Sequence, residues 1–179
     1  MSVFTNSSAS SPEEVRQYVG AVLGLLGDRN AFDVLREMPA ALASKLDGLS
    51  ADQIARPEAA GKWAVRQVFQ HLADSELVWG YRLRMVLAQE RPTLTGYDQD
   101  LWAERLHYER GDVKTALDRF SLLRRSNLAL LEGASDADLN RVGLHAERGE
   151  ESLGHLVRLY AGHDLLHLRQ LDRIREAVG

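Results

Sequence analysis

The sequence predicts an all-α fold, a four-helix bundle with one short additional N-terminal helix, and three observations support this. Apolar residues recur at spacings of three and four over long stretches, as the buried stripe of an amphipathic helix requires. Polar connections containing glycine separate those stretches. Nowhere does a run of alternating apolar residues sit between Asn-Gly or Asp-Gly turns, so hairpins are not expected. With 179 residues, 45% of them apolar and 27% charged, the chain suits a single domain over 1–179, in which residues 1–11 read as a flexible lead.

The elements follow in order. Ser11-Pro12-Glu13-Glu14 reads as an N-cap, a proline at the first helical position and a capping-box glutamate, launching Val15, Val19, Val22 and Leu26. Gly27 and Asp28 interrupt this additional helix. The first bundle helix carries Phe32, Leu35, Leu42 and Leu46, with Pro39 in its interior, where a kink or restart is expected, and it ends near Gly48. The second, about Ala64 to Glu90, sets Val65, Val68, Phe69, Leu72, Trp79, Leu83 and Val86 on one face, over a length of about 40 Å. Arg91 to Gly111 then turns to Pro, Gly, Thr, Asp and aromatics, a connection long enough to cross the bundle from end to end. Asp112 caps the third helix, through Val113, Leu117, Phe120, Leu123 and Leu131 to Gly133. Ser135-Asp136-Ala137-Asp138 is a further capping box, and Glu151 to Val178 reads as the fourth helix.

Composition removes several classes of function. With no cysteine there is no disulfide, no thiolate ligand and no cysteine nucleophile, so a metal ion must sit on His, Asp or Glu. A net charge of −4 and the lack of a long basic run argue against a nucleic-acid partner. Met1 to Ser10 lacks the basic and apolar regions of a signal peptide, and no apolar run approaches a membrane span, so no membrane association and a cytoplasmic location are expected. There is no phosphate-binding glycine loop, no H-E-x-x-H and no nucleophile elbow.

The informative line is the inward stripe of the last helix: Leu153, Leu156, Tyr160, His163, His167, Leu171, Ile174 and Val178. A spacing of four puts His163 and His167 one turn apart on one face, a separation one metal ion bridges. A lone histidine on an apolar face is usually a core residue bonded to a carbonyl or hydroxyl. Two buried neighbours that cannot both be protonated cheaply shift the balance towards a shared ion. His71, on the flank of the second helix's apolar sector beside Val68 and Ser75, is the candidate third ligand. His107 lies in the aromatic connection. His145 lies in a polar loop where solvent exposure is expected, and His155 is off the His163–His167 line. A di-iron centre needs two Glu-x-x-His pairs, and only Glu104 to His107 occurs. Glu76 falls on an apolar stripe, where a carboxylate needs a partner. It is either a proton-handling group or half of a salt bridge.

Gly61-Lys62-Trp63-Ala64-Val65-Arg66-Gln67-Val68-Phe69-Gln70-His71-Leu72-Ala73-Asp74-Ser75-Glu76 resembles the Trp-led helix start and His-Leu-x-Asp stretch of the DinB/YfiT-like superfamily. His163-Asp164-Leu165-Leu166-His167-Leu168-Arg169-Gln170 resembles that superfamily's C-terminal H-x-x-x-H-x-x-Q signature. Ala64 stands where Ser or Thr often caps the helix, and Leu168 and Arg169 replace more usual residues. The resemblance covers about Arg29 to the C-terminus. It implies up-down-down-up connectivity with the long crossover between the second and third bundle helices, a homodimer, and nickel or zinc held by His71, His163 and His167.

Three neutral imidazoles leave a dication its charge and an open position, the arrangement of a catalytic site. The expected activity on a small-molecule substrate is attack by an activated water, or by a low-molecular-weight thiol of the kind the resemblance implies. Tyr160, Trp102 and His107 are expected to shape the pocket, with Glu76 as a candidate proton shuttle. Two other readings remain open: a non-catalytic bundle stabilised by its metal, and a stress-related protein that binds a small molecule without turnover.

Overall fold

The computed structural model describes residues 11–179. Except for Ser11, the lead over 1–11 lies outside the described residues. Ser11 is the N-cap of α1 (Pro12–Leu26): its hydroxyl accepts from the Glu14 N–H while the Glu14 carboxylate accepts from the Ser11 N–H. α2 (Ala31–Ser44) is capped by Asn30, and α3 (Ala51–Ala55) by Ser50 with Gln53. The long α4 (Val65–Ala88) starts at Ala64, which has no side-chain cap. The Gln67 side chain instead accepts the Ala64 N–H at 2.9 Å. The connection from α4 contains β1 (Thr93–Leu94), α5 (Gln99–Arg105) and a 3-10 turn at Tyr108–Arg110. α6 (Val113–Glu132) follows its Asp112 cap and ends at Gly133, and α7 (Asp136–Leu139) uses the Ser135–Asp138 box. After β2 (Val142–His145) and β3 (Gly149–Ser152), α8 (Leu153–Val178) completes the chain.

Side-chain partners fix the directions of the bundle helices. On α4 and α6, Glu76 meets Arg124 and Arg84 meets Asn127, so these two run parallel, as the long connection between them permits. His71 meets His163 while Arg82 meets Tyr160, so α4 and α8 are antiparallel. Lys45 pairs with Asp172, and the Leu35 carbonyl shares Arg124 with Asp164, so α2 and α8 are parallel. The order α2, α4, α6, α8 is therefore up-down-down-up. α1 lies outside this set against α8, where a Cβ on Gly162 would fall on the Val22 carbonyl.

The core has two apolar clusters with a polar layer between them. Leu35, Trp79, Leu83, Leu128, Leu153 and Leu156 belong to one; Leu42, Val68, Phe69, Leu72, Phe120, Leu171 and Ile174 to the other. Each such side chain contributes about 1.5–3 kcal/mol by burial. Between the clusters sits Arg124, 1% exposed, against Asp164 (2.6 and 3.2 Å) and Glu76 (2.8 Å). Of the kink or restart expected at Pro39, the restart does not occur: α2 runs through it as one helix. Proline offers no N–H to the Leu35 carbonyl one turn earlier, and Arg124 Nη1 donates to that carbonyl instead, at 3.0 Å. The same guanidinium thus ties α6, which carries it, to the other three bundle helices.

A small sheet departs from the expected all-helical pattern. β1 pairs parallel with β2, and β2 pairs antiparallel with β3, His145 opposite Gly149. Strands this short carry no readable alternation, and tertiary pairing rather than periodicity forms them. α8 accordingly begins at Leu153, after Ser152 has capped it, not at Glu151.

Candidate metal centre

His71 stands two turns into α4. On the facing helix α8, Tyr160, His163, His167 and Gln170 follow one another at spacings of three and four. Antiparallel packing brings the three imidazoles together at mid-bundle. His163 Nε2 lies 3.1 Å from His167 Nε2 and 3.3 Å from His71 Nε2. One ligand atom from each of the three lies within 4.8 Å of the others. Among the described residues this is the one such group of three or more His, Asp or Glu side chains. His71 (1% exposed) and His167 (6%) are buried, and His163 is partly open.

The donor set fits a small dication. Metal–nitrogen bonds of about 2.0–2.1 Å at tetrahedral angles place ligand nitrogens about 3.3–3.4 Å apart, close to the two observed separations. Protonation is disfavoured. Burial, then the neighbouring imidazole of His167, holds His71 well below the ordinary histidine range. Burial, then His167, His71 and Arg124, does the same to His163. Burial lowers His167 to about 4 against the opposing bond to Gln170. Gln170 Oε1 lies 2.7 Å from His167 Nδ1. The amide oxygen only accepts, so the proton sits on Nδ1 and the Nε2 lone pair faces the cluster. The Trp63 ring leans on His71 at 5.1 Å between centroids and shields that side.

A cavity of about 60 Å³ adjoins His163; Tyr160, Tyr97, Tyr18, Ser75, Arg82 and Arg148 are among its lining residues. Of the residues expected at the pocket, Tyr160 lines it. Trp102 does not: it packs on Tyr97 with centroids 4.4 Å apart, and Tyr97 faces the cavity in its place. His107 is displaced furthest, since its left-handed backbone (φ 55°) turns the side chain out to 59% exposure, 3.5 Å from Glu109. Glu76 has the salt-bridge partner its position calls for, bound to Arg124 and to Asn127 Nδ2 at 2.8 Å each, and is not among the residues that line this cavity. His145 is 3% exposed, not solvated, because β1 and β3 flank its strand. His155 is half-buried, 3.8 Å from Glu151.

Arg82, Ser75, Tyr97 and Tyr18 line the cavity without being among the residues expected there. A signal existed for two of them. At 100° per residue, Ser75 and Arg82 fall within about 40° of His71, on the line of the helix that carries a ligand. Tyr18 and Tyr97 come from α1 and the crossover, and only tertiary packing brings them in.

The family model of the DinB superfamily matches residues 35–171. The chain belongs to the DinB superfamily. Similar proteins include a "putative metal-dependent hydrolase" of Oceanobacillus iheyensis, 31% identical over 78% of this chain and 81% of its own length. Another of that name in Bacillus mycoides is 30% identical over 90% of this chain and 92% of its own. Among solved structures, YfiT of Bacillus subtilis, described as a "probable metal-dependent hydrolase with an unusual four-helix bundle topology", superposes with a TM-score of 0.73 at 26% identity, covering 95% of this chain and 92% of that one. The up-down-down-up order of this DinB chain agrees with that likeness. No helix among the described residues is long and apolar enough to cross a membrane.

Proposed function

We propose that this DinB-superfamily chain is a metal-dependent hydrolase of a small-molecule substrate, with zinc or nickel held by His71, His163 and His167. The observation that carries the reading is the convergence of three imidazole Nε2 atoms, with His163 Nε2 3.1 and 3.3 Å from the other two, beside a cavity. A dication on three uncharged ligands keeps its full charge and an open position, and supplies Lewis-acid chemistry: it polarises a carbonyl and lowers the pKa of water.

The chain's own residues do the rest. Gln170 holds the His167 tautomer that presents Nε2. Trp63 and the buried face of α4 keep bulk water from the far side of the imidazoles. Burial keeps the Tyr97 hydroxyl protonated, so it stands as a hydrogen-bond donor on the cavity wall. The names of the Oceanobacillus and Bacillus relatives favour water over a thiol as the nucleophile.

Elemental analysis of the purified wild type, His71→Ala and His163→Ala tests the metal. The expected result is about one divalent ion per chain in the wild type and little in either variant. Wild type without metal after reconstitution overturns the reading. An ester and amide panel, run with and without low-molecular-weight thiols, then tests the nucleophile: turnover without thiol supports hydrolysis, and strict thiol dependence overturns it.

A further inference from the structure

Three arginine side chains are largely or wholly withdrawn from water, and two of them carry their own counter-charge. Arg124 has Glu76 and Asp164. Arg148 has Glu151, at 2.6 and 2.9 Å. Arg82, 5% exposed, has none: among the described residues no carboxylate lies within ion-pair distance of it. Nη1 donates to the Tyr160 hydroxyl at 3.3 Å and Nη2 to the Thr95 carbonyl at 2.6 Å, while Nε is buried without a partner. A guanidinium has five N–H donors, so three of Arg82's, Nε–H among them, have no protein partner. An uncompensated buried cation is costly, and this one lines the cavity that His163 also lines.

A second unsatisfied donor lies nearby. His145 Nδ1 accepts the Glu147 N–H at 3.2 Å, so its proton is on Nε2, which is buried with no partner. Its ring is close behind Gly96, a residue of the cavity lining: a Cβ placed there would lie 3.7 Å from His145 Cε1. Glu147 also lines the cavity, at Gly96.

We infer that Arg82 is the anion-recognition residue of the cavity, which takes a small molecule bearing an oxyanion, carboxylate or phosphate, with its reacting group turned towards His163. Tyr160 sets the distance between the two ends, since its hydroxyl accepts from Arg82 and its ring centroid lies 5.9 Å from that of His163. A volume of 60 Å³ admits about four to six water-sized groups, enough for the anion and a short linker. Charge-assisted pairing in a fork geometry is what an arginine supplies and a neutral donor does not. The assignment of the other end as the reacting end rests on the metal-dependent reading; the pairing at Arg82 does not.

The test therefore uses the metal-free full chain. Succinate, inorganic phosphate and the neutral diamide of succinate are titrated by calorimetry against wild type, Arg82→Met, Arg82→Lys and His163→Ala. Saturable binding of succinate or phosphate, absent for the diamide, weakened about tenfold or more in Arg82→Met and partly kept in Arg82→Lys and His163→Ala, supports the inference. The tighter of the two anions names the substrate class. Failure of both anions to bind, or equal binding by Arg82→Met in a folded protein, overturns it. Loss of metal binding in the elemental analysis with anion binding intact would sink only the hydrolase reading.

Discussion

Replacing Arg124 by Met should be among the most damaging single changes in the core. The methionine fills most of the volume but leaves Asp164 and Glu76, both 1% exposed, without their cation. Stranding one partner of a buried pair costs about 3–5 kcal/mol. Glu76 keeps Asn127 Nδ2 at 2.8 Å, which moderates its share, whereas the Leu35 carbonyl loses its donor. A total near 5 kcal/mol at pH 8 is about a third to a half of the stability common for a domain of this size. Burial already pushes the Asp164 carboxyl up to about 6 against the pull of Arg124. Without the arginine it rises further, so at pH 5 the carboxyl is neutral and about half the loss should disappear. Urea unfolding followed by far-ultraviolet circular dichroism at pH 8 and pH 5 measures both numbers. The triple change Arg124→Met, Glu76→Gln, Asp164→Asn removes the charges together and should recover most of the stability. A loss below about 1 kcal/mol at pH 8, or a triple variant as unstable as the single, would refute the reasoning.

Three further outcomes are expected. The unfolded chain protonates its histidines near pH 6.5, while folded His167 holds out to about 4 and His71 and His163 also lie well below 6.5. Between those limits the unfolded state binds more protons, so stability falls as pH drops through the window. Asp164 opposes this with a single group, since its raised value removes stability as pH rises from about 4 to about 6. The metal-free urea midpoint should therefore fall from pH 7 to pH 5, and fall less in His163→Ala; a flat or rising midpoint contradicts it. Gln170→Leu removes the acceptor for His167 Nδ1 and should weaken metal binding about 10- to 100-fold in a chelator competition, with unchanged affinity as the contrary result. Gly162→Ala puts a methyl on the Val22 carbonyl, so α1 must shift. A loss of about 1–3 kcal/mol in thermal or urea unfolding is expected, and a neutral effect would mean that α1 packs less tightly than observed.

Much of the site was legible because it obeys helical periodicity. His163, His167 and Gln170 on α8, and His71 on α4, lie at helical spacings that a single sequence displays, and burial of the stripe follows from its apolar neighbours. Glu76 was legible as a carboxylate needing a partner, but not which partner, because Arg124 is 48 residues away on another helix. Trp102 and His107 were misplaced for a related reason. The connection after α4 has no periodicity, and which of its aromatics turns inward depends on α5 and the left-handed corner at His107.

The sequence by itself determined the helices, their caps and the two faces that carry histidines, because capping and amphipathic spacing are local properties of consecutive residues. Tertiary structure alone decided that Pro39 hands a free carbonyl to Arg124, that His145 is buried in a three-stranded sheet, and that Arg82 is withdrawn from water without a counter-charge. These depend on which distant surfaces meet, and the energy of a buried charge or unpaired carbonyl is set by those surfaces, not by its neighbours along the chain.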